Sequence, residues 1–171
     1  MPESTSHGTI GIHHPARPGE CMPPSGRAHR RLASGDLGEV LGLYAAYRDV
    51  SAAHDDVARW LDVYPSVGVW EHGALVAFCY TQRNAPGILE IDNLYVAPSH
   101  RSHGIGADML RLVESAALAE GYQGLFLTNA LGLPAREVRR SPETFYVDNG
   151  YTVVLRCGPT LAFVKQLSIT D

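Results

Sequence analysis

The chain has 171 residues, 45% of them apolar and 19% charged, with a net charge of -4. That is enough for one domain with a sizeable core, and the lack of any strongly basic stretch argues against nucleic-acid binding, which draws on Lys and Arg. No apolar run reaches the roughly 20 residues of a membrane helix, the N-terminus lacks an apolar signal core, and the cysteines (Cys21, Cys79, Cys157) form no CxxC pattern, so a cytoplasmic location is the default expectation.

Residues 1–28 read as a disordered tail before a single domain over 29–171. Pro2, Pro15, Pro18, Pro23 and Pro24 crowd this segment, which has too little apolar surface to offset its ordering entropy. His7, His13, His14 and His29 show no regular ligand spacing, so no metal site is expected. The fold is expected to begin near Arg30. Asp36 and Glu39 have capping-box spacing, and Leu37, Val40, Leu41 and Tyr44 recur at helical intervals. A second helix is predicted around Asp55 to Leu61, closed by Pro65.

Val67 to Trp70 and Leu75 to Gln82 then read as a hairpin around Glu71-His72-Gly73. Cys79 falls in this apolar run and reads as a small buried hydrophobe. After a turn at Asn84 to Gly87, Ile88 to Val96 is a strand. Strict alternation puts Leu89, Ile91, Asn93 and Tyr95 on one face, and Glu90, Asp92, Leu94 and Val96 on the other. Pro98 stops it. Gly104 to Glu120 is strongly helical, with Ile105, Met109, Leu112, Val113, Ala116 and Ala117 as its apolar stripe and Gly121 as its cap.

Leu125 to Thr128 is a short buried strand, and residues 130–140 are irregular. Ser141 caps a short helix with Pro142 at its first position and Gly150 beyond its end. Tyr151 to Arg156 and Leu161 to Leu167 form a final hairpin. The central strand–helix–strand unit requires a parallel crossover. The fold class is therefore α/β (α+β): a mixed, mostly antiparallel twisted sheet with helices on both faces.

The segment from Ile88 to Glu120 carries most of the functional information. A helix that starts inside a Gly-rich turn aims unpartnered amides at whatever precedes it, and its dipole adds positive potential. This suits a phosphate or pyrophosphate. Gly104 and Gly106 allow close backbone approach, and Arg101 can add charge-assisted hydrogen bonds. The spacing Arg-x-x-Gly-x-Gly is not the dinucleotide fingerprint, nor is it a Walker motif.

The run Leu94-Tyr95-Val96-Ala97-Pro98-Ser99-His100-Arg101-Ser102-His103-Gly104-Ile105-Gly106 resembles the signature of the GNAT superfamily of acetyl-CoA-dependent N-acetyltransferases. Phe145-Tyr146-Val147-Asp148-Asn149-Gly150-Tyr151 is similar to that family's later Phe-Tyr-x-x-x-Gly-Phe segment. The resemblance implies a GNAT-like fold from Arg30 onward, with acetyl-CoA as donor. The strands before and after the central helix would splay, and the acetyl-pantetheine arm would lie between them. Leu94, Tyr95 and Val96 would border the arm. The amides of Arg101, Ser102, His103, Gly104, Ile105, Gly106 and Ala107 would hold the pyrophosphate, and Asn129 would contact the cofactor or a water.

Amine attack on a thioester needs a base for the amine and a proton for the leaving thiolate. Tyr146 matches the family tyrosine near the coenzyme sulfur and is the candidate acid and a cofactor contact. Glu90 matches the base glutamate of histone-acetylating relatives, and Asp92 shares its face, where two carboxylates can bind a cationic amine or raise one another's pKa. Asn93 stands where many relatives place a glutamate. His103 is a poor base candidate. The acceptor is expected to be the primary amine of a small molecule (an antibiotic, an amino acid or a polyamine-like compound). The segments from Val50 to Tyr64 and 130–140 are candidate walls, with Tyr47, Trp60 and Tyr64 either lining a pocket or packing in the core. Alternatives are a protein lysine or N-terminal acetyltransferase and a non-catalytic acyl-CoA-binding module. A homodimer is allowed.

Overall fold

Seven strands form one sheet in the order β1-β2-β3-β4-β5-β7-β6. The strands are β1 (Arg27–Arg31), β2 (Val67–Glu71), β3 (Ala74–Ala85), β4 (Ile88–Val96), β5 (Gly124–Ala130), β6 (Thr152–Cys157) and β7 (Thr160–Gln166), and the helices are α1 (Leu37–Ala45), α2 (His54–Val63), α3 (Ile105–Ala119) and α4 (Pro142–Asp148). The computed structural model describes residues 26–45, 54–130 and 141–168. Every neighbouring pair of strands is antiparallel except β4 and β5, the pair joined through α3. The expected mixed sheet with a central parallel crossover is therefore present.

Two apolar clusters sandwich the sheet. On one face Val40 of α1 and Val57 and Leu61 of α2 pack on Trp70, Phe78, Tyr80 and Tyr95. On the other, Ile105, Met109, Leu110, Val113 and Ala117 of α3 join Tyr146 of α4 over Cys79, Leu89, Leu127 and Phe163. Cys79 is fully buried, as its apolar run implied. The α3 stripe differs from expectation: Leu110 is buried, Leu112 is 39% exposed and Ala116 is only half-buried. Leu110 and Leu112 both fit the helical period, and the sheet's position relative to α3 selects Leu110.

Local chemistry explains the ends of the elements. His72 and Gly73 both have positive φ, 52° and 82°, the two-residue turn whose twist suits a hairpin. Helices α3 and α4 close with the same paired bonds: Gly121 N–H to Leu118 O and Tyr122 N–H to Ala117 O, then Gly150 N–H to Val147 O and Tyr151 N–H to Tyr146 O. In each, the glycine adopts the left-handed conformation that this cap requires. Ser141 Oγ accepts from Thr144 N–H at 3.1 Å, as an N-cap serine should.

Two expectations near the start of the fold are corrected. Asp36 and Glu39 do not form a capping box with each other. Asp36 accepts from Ala33 N–H at 3.0 Å and pairs with Arg30 through both oxygens, while Glu39 accepts from Trp70 Nε1 at 2.9 Å. Strand β1 was not foreseen, and Arg27 and Ala28 belong to it rather than to the tail, whose residues 1–25 lie outside the described ones. Its sequence, Arg-Ala-His-Arg-Arg, has no apolar alternation. Pairing with β2 holds it, aided by Arg27 on Glu71 at 3.1 Å and by Arg30 stacked 3.8 Å over the Trp70 ring.

Beneath that stack, Gly68 has the least room of the described glycines. A Cβ there would overlap two ring carbons of Trp70 and lie 2.9 Å from Leu32 Cδ2. Gly68→Ala is expected to destabilise the fold by about 1–3 kcal/mol, the usual cost of overpacking. Thermal unfolding checks this, and an unchanged Tm would show that Trp70 can move aside.

Candidate active site

Strands β4 and β5 pair only at their first residues: Ile88 with Gly124, Leu89 with Leu125 and Glu90 with Phe126. Beyond Glu90 the two part. β4 stays paired with β3 up to Val96, and β5 stays paired with β7 up to Ala130. A wedge-shaped gap thus opens in the middle of the sheet, with Leu94, Tyr95 and Val96 on one arm and Leu127 and Asn129 on the other. Asn129 alternates with Leu125 and Leu127 along β5, which places it on the α3 and α4 face.

The start of α3 stands beside the β4 arm. Ser102 and Gly104 both adopt positive φ, 63° and 79°, and this reverses the chain into the helix. Asp108 N–H is the first amide of α3 to reach a carbonyl, that of Gly104 at 3.0 Å. The amides from Ser102 to Ala107 have no backbone acceptor among the described residues. Unpartnered amides grouped in this way are suited to an anion. The amide of Arg101 is not among them, because it donates to Pro98 O at 3.3 Å. The Arg101 side chain turns back along β4, its Nε donating to Val96 O at 2.9 Å. Its evident role is to brace the loop against the strand end. His103 is exposed within the loop.

Gly106 serves a purpose beyond phosphate approach. A Cβ there would lie 3.1 Å from Phe145 Cζ, so the glycine lets α4 press against the first turn of α3. This contact fixes the neighbouring Tyr146. Its ring lies 5.1 Å from those of Phe145 and Phe163 and 5.7 Å from that of Tyr151. Phe163 pairs with Leu127, so Tyr146 lies over the β5 and β7 arm, opposite the α3 start. The residue is 7% exposed. Burial, helped by the neighbouring Cys79, pushes its phenol well above the usual tyrosine range, so it holds its proton at any working pH.

Glu90 and Asp92 share a face as alternation implied, but the residues after them follow an irregularity that strict alternation missed. Tyr80 pairs with Asn93 and Thr81 with Ile91, which leaves Asp92 as an extra residue in β4. This bulge exchanges the faces beyond it. Leu94 and Val96 join Leu89 and Ile91 on the α3 side, and Tyr95 faces α1 and α2. Asn93, opposite Tyr80, lies on that second face with Glu90 and Asp92 rather than with Leu89 and Ile91. The expected grouping of Leu94 and Val96 with the two carboxylates is therefore corrected.

Side chains from β3 that the sequence did not single out hold both acids. Gln82 Nε2 donates to Asp92 Oδ1 at 2.9 Å, and Asn84 Nδ2 to Glu90 Oε2 at 3.0 Å. Asp92 is solvent-exposed as a residue, yet packing around its carboxyl raises its pKa. The Tyr80 hydroxyl bonded to it opposes that rise, and the charge of Glu90 adds to it. The partners were legible only through the β3 register. Trp60 stacks on Tyr80 at 6.3 Å, and Tyr80 on Phe78 at 5.9 Å; Phe78 and Tyr80 are buried core residues, and Trp60 packs half-buried against them. Tyr64 packs on the opposite cluster. Tyr47 and 131–140 lie outside the described residues.

Comparison with known proteins fits this geometry. The model of the acetyltransferase (GNAT) family matches residues 37–138. No curated protein matches the sequence. Among solved structures, the ribosomal-protein-S18-alanine N-acetyltransferase from Escherichia coli superposes with a TM-score of 0.67 at 15% identity, covering 85% of this chain and 96% of that one. The PaiA N-acetyltransferase from Thermoplasma acidophilum, in complex with coenzyme A, gives 0.64 at 17% identity over 82% of this chain and 98% of that one. A Salmonella typhimurium protein with its cofactor acetyl-CoA gives 0.64 at 17% identity, over 85% and 96%. Among the described residues no helix is long and apolar enough to cross a membrane.

Proposed function

The chain belongs to the GNAT family of acetyl-CoA-dependent N-acetyltransferases, and from that premise we propose that it acetylates the primary amine of a small cationic molecule by direct attack. The observation that carries this reading is the shared face of Glu90 and Asp92, each held by a β3 side chain, Asn84 and Gln82. Both acids lie on the α1 and α2 face of the sheet, near the half-buried Trp60 where it stacks on Tyr80, while the unpartnered amides at the start of α3 lie on the other. Two carboxylates on one face suit a cationic amine.

Acetyl-CoA supplies an activated thioester carbonyl and a thiolate leaving group. The amides from Ser102 to Ala107 would hold its pyrophosphate, the β4 arm would border its pantetheine chain, and Asn129 stands on the facing arm. The ammonium must lose a proton before it attacks. Asp92, its pKa raised by burial of its carboxyl and by Glu90, would take that proton, since a raised pKa strengthens a base. Tyr146, buried and protonated, would give its proton to the departing thiolate.

Asp92→Asn is expected to lower kcat by about 10²-fold. In the unmodified enzyme the rate should fall as pH drops through the Asp92 pKa, which lies above the ordinary aspartate value. Glu90→Gln removes a negative neighbour, so that limb should move to lower pH. A limb unmoved by either change would remove both residues from the base role.

The acceptor is tested by measuring thiol release from acetyl-CoA across small cationic amines, peptide N-termini and lysine peptides. Turnover confined to the small amines is the expected result. Turnover confined to peptides would replace it with a protein acetyltransferase, and tight acetyl-CoA binding without turnover would leave an acyl-CoA-binding module.

A further inference from the structure

Behind Tyr146, between α3 and α4, lies a polar cluster that the transfer chemistry leaves unused. Glu114 projects from the third turn of α3, and its Oε2 accepts from Lys165 Nζ of β7 at 2.7 Å, with the two side chains 14% and 24% exposed. Lys165 also donates to Asn149 O, at the end of α4, at 2.8 Å. Its Nζ lies 5.3 Å from the centre of the Tyr151 ring, and that ring meets Tyr146 edge-on at 5.7 Å. Glu114 Oε1 and Tyr151 Oη are both buried, and neither closes a hydrogen bond of normal geometry. The carboxylate is nonetheless near enough to add to burial in keeping the Tyr151 phenol protonated.

Orphaned buried polar atoms are uncommon and call for a reason. A largely buried ion pair is a weak device for stability, since apolar residues of similar volume do as well or better. This one stands one aromatic ring away from the residue assigned as the acid. We propose that Glu114, Lys165 and Tyr151 form a positioning unit that sets how readily Tyr146 releases its proton to the departing thiolate. The proposal rests on the reading of Tyr146 as that acid.

In that step the O–H bond of Tyr146 breaks as the S–H bond of the thiol forms. A phenolate is left, which takes up a proton from solvent before the next turnover. The negative charge therefore develops on Tyr146, one ring contact from Tyr151. Glu114 opposes that charge and Lys165 favours it, so the balance of the two matters. Tyr151 carries the influence through its ring contact.

The test is a set of substitutions read by kcat and by KM for acetyl-CoA, with thiol release to the best amine of the panel. Lys165→Met leaves the Glu114 charge unopposed and is expected to lower kcat roughly tenfold, with KM little changed. Glu114→Gln leaves the cation alone, and kcat should hold or rise. The double variant, neutral again, should return towards the unmodified rate. A purely structural clamp predicts instead that both single changes lower kcat and that the double variant is the worst, which would overturn the proposal.

Should Lys165→Met not fold, Lys165→Arg carries the test. It keeps the charge and should keep the rate, and a tenfold loss in a folded Lys165→Arg enzyme would count against an electrostatic role. Repeating the set in Tyr146→Phe separates the two readings. There the differences should vanish. If they persist although Tyr146→Phe itself is slow, the unit acts through another group. If Tyr146→Phe is as fast as the unmodified enzyme, the acid assignment fails first and the proposal falls with it.

Discussion

Tyr146→Phe should lower kcat by about 10²-fold and leave KM for acetyl-CoA nearly unchanged, the range expected when a positioned general acid is removed. The substitution deletes one oxygen and keeps the ring. The ring supports the packing: it contacts Phe145, Tyr151 and Phe163 and lies in the core cluster beneath α3. Stability should therefore change by no more than about 1 kcal/mol, the usual net worth of one hydrogen bond. Steady-state kinetics and thermal unfolding, measured together, check both halves. A large loss of Tm would mean that the hydroxyl has a structural partner. An unchanged kcat would move the proton donor elsewhere, to solvent or to the acceptor itself.

A second large effect is expected at the loop. Gly104→Trp should weaken acetyl-CoA binding by about 10²-fold or more, since losing two charge-assisted hydrogen bonds costs roughly 3–6 kcal/mol. Gly104 has φ of 79°, and no heavy atom lies within 4 Å of the position its Cβ would take. A bulky side chain there projects over the unpartnered amides without striking the core. The left-handed conformation itself costs an L-residue roughly 1–2 kcal/mol. Gly104→Ala isolates that cost, since it adds strain and almost no bulk. Calorimetric titration of acetyl-CoA into both variants is the measurement. Near-normal binding by Gly104→Ala and poor binding by Gly104→Trp would place the pyrophosphate at these amides. Equal binding by Gly104→Trp and the unmodified enzyme would place it elsewhere.

What the residues alone determine here is local. Ser141, Pro142 and Gly150 bound α4, Gly121 ends α3, and His72-Gly73 turns the first hairpin, because capping and turn chemistry act over a few residues. The loop before α3 is likewise written in its glycines, and the likeness of that loop and the Phe145-Tyr146 segment to one family identified the donor. The tertiary structure decided the rest. Strand β1 has no apolar pattern and exists because β2 offers an edge and Trp70 offers a ring to Arg30. The opening of the gap depends on where β5 leaves β4 for β7. The faces of Asn93, Leu94 and Tyr95 follow from a bulge at Asp92 that only pairing with β3 creates. A register is a relation between two strands, and one extra residue exchanges every face beyond it, so a reading of β4 by itself placed Glu90 and Asp92 on their common face but could not place Asn93 to Val96.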